Sequence, residues 1–174
     1  MRCAERAEVR LAMPEWTFRD RVEARDAETV RAIVASTGFF SPEEIDVAEE
    51  LVRDHLLQGP ASGYLFVFAD DAAGETFGYA CYGPVPCTAR TFDLYWIAVR
   101  ADARSRGLGR TIMAEVEQRL REGGGGKLIA ETSSRPQYAP TQGFYRACGF
   151  TEEARIRDYY APGEDILYFT KSLG

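Results

Sequence analysis

The sequence predicts an α+β chain of seven strands and four helices, with one parallel strand pair in an otherwise antiparallel sheet. Three observations carry this. Apolar residues alternate between helical spacing and short apolar or alternating runs. Most of the runs are separated by a few turn-forming residues, which joins them as hairpins. One pair of runs is instead separated by a long amphipathic helix, and such a crossover lays its two strands parallel.

Taken in order, residues 1–14 are mixed in charge, lack a clean period and end at Pro14. They read as an N-terminal extension ahead of a single domain at 15–174. Residues 16–22 alternate as a first strand. Asp26 is placed to cap a helix whose apolar face is Val30, Ile33 and Val34, ended by Gly38. Ser41-Pro42-Glu43-Glu44 is a helix start, with Ser41 as cap, Pro42 at the first position and Glu44 closing a capping box. That second helix carries Ile45, Ala48, Leu51, Val52 and Leu56 inward and stops at Gly59-Pro60. The runs at 64–69 and 77–82 pair across a turn at 70–74. A loop at 83–86 leads to a fourth strand at 88–99. The next helix buries Leu108, Ile112, Val116 and Leu120, spaced by four, and four glycines at 123–126 break it. Residues 127–132 return as a buried strand parallel to the fourth. Residues 140–150 form a short helix closed by Gly149. Two strands near 151–160 and 165–171 finish the chain, joined by Pro162-Gly163-Glu164.

Composition narrows the function classes. A length of 174 residues with 45% hydrophobic and 28% charged residues suits one globular domain with a real core. A net charge of −6 weighs against a nucleic-acid partner, which needs a basic face, and favours a cationic or amine ligand. No apolar run has the length of a membrane span, so no membrane partner is expected. The start, Met1-Arg2-Cys3-Ala4-Glu5-Arg6, lacks the apolar middle of a signal peptide, and a cytoplasmic placement is expected. Cys3, Cys81, Cys87 and Cys148 form no C-x-x-C pair, and His55 is the single histidine, so no metal site is expected. His55 lies in a charged helical segment and reads as a surface or helix-end residue. The chain is compatible with a monomer or a homodimer.

The chemistry concentrates where the apolar run Asp93-Leu94-Tyr95-Trp96-Ile97-Ala98-Val99 meets Arg104-Ser105-Arg106-Gly107-Leu108-Gly109-Arg110-Thr111. A strand running through a glycine turn into a helix start is an anion site, because the first-turn N–H groups lack partners and the helix dipole is positive there. Arg104, Arg106 and Arg110 add forked donors suited to phosphate. The spacing excludes two familiar solutions. In G-x-G-x-x-G the third glycine would fall on Ile112, and the only Gly-Lys, Gly126-Lys127, is followed by Leu128 rather than Ser or Thr.

What fits is R-x-x-G-x-G at Arg104, Gly107 and Gly109. It resembles the acyl-CoA pyrophosphate loop of the GNAT (Gcn5-related N-acetyltransferase) superfamily. The segment Phe144-Tyr145-x-x-x-Gly149-Phe150 resembles that superfamily's F-Y-x-x-x-G-F signature, and the order of elements matches over residues 16–172. The resemblance implies an α/β/α layered acyl-CoA N-acyltransferase fold, a mixed central sheet whose parallel pair splays apart, and acetyl-CoA as cofactor. It implies that the pantetheine arm bonds the backbone of Ile97, Ala98 and Val99 as an added strand would. The pyrophosphate is then expected on the amides of Ser105 to Arg110, with Arg104, Gly107, Leu108, Gly109 and Thr111 completing the site.

Acetyl transfer to an amine needs a neutral amine, a donor for the oxyanion and a proton for the leaving thiolate. Asp93 is the first candidate base, because histone-acetylating members of the family carry a catalytic glutamate at that place on the fourth strand. Glu131, emerging from the fifth strand, is its rival. Tyr145 matches the family tyrosine that protonates the thiolate. The acceptor pocket should draw on Phe39, Phe40, Tyr95, Trp96, Tyr138, Tyr159 and Tyr160, which together with the two carboxylates suit a cationic, partly apolar amine. The expected reaction is direct transfer to a primary amine of a small molecule such as an amino acid or polyamine. The alternatives are a non-catalytic acyl-CoA sensor and a protein lysine or N-terminal acetyltransferase.

Overall fold

The computed structural model describes residues 16–174; the expected N-terminal extension at 1–14 lies outside them. The elements are β1 (Thr17–Arg19), α1 (Asp26–Ser36), α2 (Pro42–Gln58), β2 (Leu65–Asp70), β3 (Thr76–Pro84), β4 (Thr91–Val99), α3 (Leu108–Glu122), β5 (Lys127–Ser133), α4 (Ala139–Ala147), β6 (Thr151–Ala161) and β7 (Glu164–Ser172). The expected fold class holds. Seven strands form one sheet in the order β1-β2-β3-β4-β5-β7-β6. Only β4 and β5 are parallel; the other neighbours are antiparallel.

Both faces of the sheet are covered. On one face, Val30, Ile33 and Val34 of α1 and Ala48 and Val52 of α2 pack on Phe66, Phe68, Tyr79, Cys81 and Ala98. On the other, Leu108, Ile112, Met113, Val116 and Leu120 of α3 and Tyr145 of α4 pack on Val67, Ala80, Leu94, Leu128 and Phe169. Alternate residues of β2 face opposite cores, which is why that strand reads as an unbroken apolar run. Burial of each such large side chain contributes about 1.5–3 kcal/mol.

The α2 start forms as its sequence dictates. Glu44 N donates to the Ser41 hydroxyl and Ser41 N donates back to the Glu44 carboxylate, closing the capping box. Asp26 does not cap α1. It occupies the first helical position, fully buried, and its carboxylate accepts from Glu23 N at 2.7 Å and from two nitrogens of Arg19 at 2.7 and 2.8 Å. Arg19 also donates to Asp70 at 2.7 Å, so one guanidinium ties β1, α1 and β2 together. Leu56, expected inward, is 42% exposed. Its place is taken by His55, whose Nδ1 lies 2.6 Å from Tyr64 O and whose ring meets Phe66 edge-on.

The last hairpin does not simply extend the sheet in chain order. β7, with Ile166, Leu167 and Phe169 buried, takes the slot beside β5, while β6, exposed along its whole length, forms the edge. The more apolar strand goes inside.

One irregularity shapes the centre. β3 and β4 pair Cys81 with Trp96 but Tyr82 with Leu94, so Tyr95 bulges out of the ladder. A bulge sharpens the local twist. The parallel pairing of β4 with β5 runs from Thr91–Lys127 to Leu94–Ala130 and ends there, at the bulge. Beyond it β4 has no strand partner on the β5 side. Gly83 makes room for this geometry: a Cβ there would stand 1.9 Å from Gly63 O and 3.1 Å from the Tyr95 ring.

Candidate active site

Two cavities open at the splay. The larger, about 830 Å³, lies over the turn between β4 and α3. Ser105 and Gly107 both have left-handed backbone, at φ 64° and 78°. Alternating the backbone hand in this way turns successive N–H groups toward one point, the geometry of an anion nest. From Ser105 to Gly109 the amides donate to no acceptor among the described residues, and the first turn of α3 carries no acidic side chain. The expected cradle is one amide shorter than the reading of Ser105 to Arg110, because Arg110 N donates to Gly107 O at 3.0 Å.

Ile97, Ala98, Val99, Arg104, Ser105, Gly107, Leu108, Gly109 and Arg110 all line this groove. Arg106 and Thr111 do not. Thr111 turns its hydroxyl back to Leu108 O at 2.8 Å. Arg104 reaches across the groove, 3.3 Å from Thr37 O and over the Phe39 ring. These features fit a diphosphate with an extended arm: an unspent row of donors for the charge, and an unpaired strand edge for the arm.

The smaller cavity, about 420 Å³, adjoins the first and shares Phe39, Phe40, Ile97, Tyr138 and Thr141 with it. Glu131 and Tyr145 both line it, from β5 and α4. Tyr145 is otherwise packed on Phe150 and Phe169. Burial, with lesser contributions from Cys148 and Glu131, holds its phenol well above the ordinary range, so it stays protonated. Partial burial also pushes the Glu131 carboxyl above the usual carboxylate range; the Asp93 charge adds to the rise and the neighbouring Tyr168 hydroxyl opposes it.

Asp93, half-buried and raised by that burial, lines neither cavity. Asp93 is paired with Ile129, two residues before Glu131, so the two carboxylates lie on the same face of the sheet. Tyr95 and Trp96 line the smaller cavity as expected, and Trp96 packs on Phe40 with ring centroids 4.9 Å apart. Tyr159 does not line it; its neighbour Tyr160 does, with its phenol pushed up to about 12 by burial and then by Glu131. At the hairpin tip Asp158 has φ 53°, and the register shift between Ile156 and Ala161 breaks the alternation that would have decided which tyrosine turns inward.

The sequence reading missed Arg135, Glu164, Glu44 and Tyr168. Arg135 had a signal: it follows the carboxyl end of β5, where ligands of diverging parallel strands collect. Tyr168 had none, since its place beside Glu131 depends on β7 inserting next to β5.

A family model described as the acetyltransferase (GNAT) family matches residues 27–150. A solved structure from Desulfovibrio desulfuricans, described as belonging to the GNAT family, is 48% identical with a TM-score of 0.90, over 92% of this chain and 100% of that one. A structure from Salmonella typhimurium that holds its cofactor acetyl-CoA shares the fold at a TM-score of 0.69 and 18% identity, over 92% of this chain and 95% of that one. The L-methionine sulfoximine/L-methionine sulfone acetyltransferase of Pseudomonas aeruginosa is 35% identical over 91 residues, 51% of this chain and 51% of that protein. The chain thus spans about half the length of the curated relatives it matches. The matched span holds both the glycine turn over the larger groove and the Phe144–Phe150 segment that sets Tyr145 against the smaller cavity, and on these grounds the chain belongs to the acetyltransferase (GNAT) family.

Proposed function

We propose that this protein transfers the acetyl group of acetyl-CoA directly to a primary amine of a small molecule. One observation carries the reading: the groove with the unspent amides of 105–109 runs into a cavity that holds a carboxylate and a protonated phenol, with Ile97 at the junction. The acetyl-CoA in the Salmonella typhimurium neighbour and the amino-acid-like acceptor in the name of the Pseudomonas relative support it.

Bound acetyl-CoA supplies an activated thioester. The chain's residues supply the rest. The amides of 105–109 hold the diphosphate, and the free edge of β4 from Ile97 to Val99 aligns the arm. An alkyl ammonium with a pKa of about 10.4 is about one part in a few thousand neutral at pH 7. Glu131, with its basicity raised by burial, takes the ammonium proton directly or through water. Asp93 works through Glu131, as a like charge that raises it. The Tyr145 hydroxyl donates its proton to the departing sulfur and recovers one from the newly acylated nitrogen, so the C–S bond breaks as the C–N bond forms, the thiol leaves protonated and the phenol is restored. The 420 Å³ cavity, lined by Phe39 and Phe40 among others, favours a small acceptor over a protein segment.

The test is release of free CoA thiol when acetyl-CoA and a panel of amines are supplied. Turnover with at least one small amine is expected. Tight CoA binding without thiol release across the panel would leave a sensor domain instead.

A further inference from the structure

We infer that the acceptor amine also carries a carboxylate, as amino acids do, and that Arg135 binds that carboxylate. This rests on the acyl-transfer reading above, and it concerns the acceptor end of the same cavity.

The inference comes from asking which charges in the smaller cavity are already spent. Three carboxylates and one guanidinium line it: Glu44, Glu131, Glu164 and Arg135. Glu44 is committed to the capping box, accepting from Ser41 N at 2.8 Å. Glu164 is committed on both oxygens. One accepts from the Ser133 hydroxyl at 2.9 Å, and the other faces Arg135 Nε at 2.8 Å. Glu131 pairs with no cation among the described residues; its cross-strand neighbour is Tyr168. Glu131 is therefore the one carboxylate of the three that serves neither a helix cap nor a cation.

The guanidinium meets Glu164 through Nε, at 2.8 Å. Its two terminal nitrogens find no acceptor among the described residues, and the side chain is 53% exposed. A guanidinium held at Nε presents its terminal nitrogens as a fork, and a fork of that kind matches the two oxygens of a carboxylate. The fork also sits on a firm base. Arg135 N donates to the Ser133 hydroxyl at 3.1 Å, Gln142 donates to Ser133 O at 3.1 Å, and Ser134 exchanges two hydrogen bonds with Asp165. The segment after β5 is thus pinned to both α4 and β7 before any ligand arrives.

The cavity wall therefore offers the Glu131 carboxylate and, four residues further along the chain, the donor fork of Arg135, whose charge is shared with Glu164. A zwitterion satisfies both. A polyamine would bring a second ammonium against the fork, and a simple alkylamine would leave the fork unmatched.

The test compares matched acceptors in the thiol-release assay: L-amino acids, their amides, their decarboxylated amines, and spermidine. In the native protein the acid is expected to exceed its amide by about 100-fold in kcat/KM, the scale of a charge-assisted bidentate pair. Arg135→Gln should raise KM for the acid by about 50-fold with kcat nearly kept, and should bring acid and amide within a few-fold of each other. Arg135→Lys should restore part of the difference. Spermidine or the decarboxylated amines outpacing the acids would overturn the inference, as would Arg135→Gln weakening acid and amide alike. A second readout separates this idea from the one beneath it. On CoA-saturated protein, amino acids should raise Tm more than their amides, and Arg135→Gln should abolish the difference. That shift without any thiol release sinks acyl transfer and keeps the carboxylate site; thiol release from amines with equal shifts for acid and amide does the reverse.

Discussion

The larger groove and the smaller cavity, which meet at Ile97, are built in opposite ways. The groove presents backbone: a short contiguous turn whose amides are freed by two left-handed residues, together with a strand edge freed by a bulge. The cavity presents side chains drawn from the α1–α2 loop, β4, β5, the segment after it, α4 and the β6–β7 hairpin. A backbone site depends on local conformation and tolerates most side-chain changes. A side-chain site depends on where distant elements land, and each residue in it carries its own chemistry.

The largest effect on CoA affinity should come from attacking the backbone of the groove. Gly107→Val places a β-branched residue at φ 78°, which only glycine adopts without strain, so the turn must rebuild and its amides diverge. Affinity for CoA should fall by at least about 100-fold by calorimetric titration, near 3 kcal/mol, while the fold persists by circular dichroism. Unchanged affinity would mean that the turn is not the anchor.

Glu131→Gln should lower kcat by about 100- to 1000-fold and leave CoA affinity alone, because it removes a base and nothing that touches the groove. Tyr145→Phe should cost less, about 30-fold in kcat. Its raised phenol acts as a hydrogen-bond donor to developing charge, and one such bond is worth about 2 kcal/mol. A larger fall for Tyr145→Phe than for Glu131→Gln would reverse the assignment of the harder proton transfer.

The pH dependence separates the two carboxylates. If Glu131 is the base, kcat/KM should rise with pH through a value above 4.5, because burial and the Asp93 charge both disfavour its ionised form. Removing that like charge favours ionisation, so Asp93→Asn should move the acidic limb to lower pH and keep most of the activity. Loss of the limb together with the activity would instead make Asp93 the base.

The smallest effects belong to residues that share the motifs but not the cavities. Arg106→Ala should weaken CoA by less than about threefold, as expected for an exposed charge screened by solvent. Tyr159→Ala should leave acceptor KM within about twofold, since Tyr160 rather than Tyr159 lines the cavity.

How far each region could be read in advance follows from how it is built. The turn was legible because its requirements are contiguous: positive φ, a helix start and nearby cations are written within eight residues. Arg106 and Thr111 stand outside the groove, and the Arg110 amide is spent on the first intrahelical bond of α3; whether that bond closes at residue 110 or later depends on local geometry rather than residue type. The cavity was legible where a residue carried its own flag, as Glu131, Tyr145 and the aromatics Phe39, Phe40, Tyr95, Trp96, Tyr138 and Tyr160 did. Arg135 was passed over because a lone arginine after a strand looks like any solvated charge until Glu164 is seen to hold one side of it.

The sequence by itself determined the elements, their order, the crossover that makes β4 and β5 parallel, and the chemistry of the glycine turn. Those are short-range matters of period, capping and backbone freedom. Tertiary structure decided that β7 inserts between β5 and β6, that the Tyr95 bulge ends the parallel pairing at Leu94, and which carboxylate faces the cavity. Each of these depends on competition among whole elements for buried positions, and no single stretch of chain contains the terms of that competition.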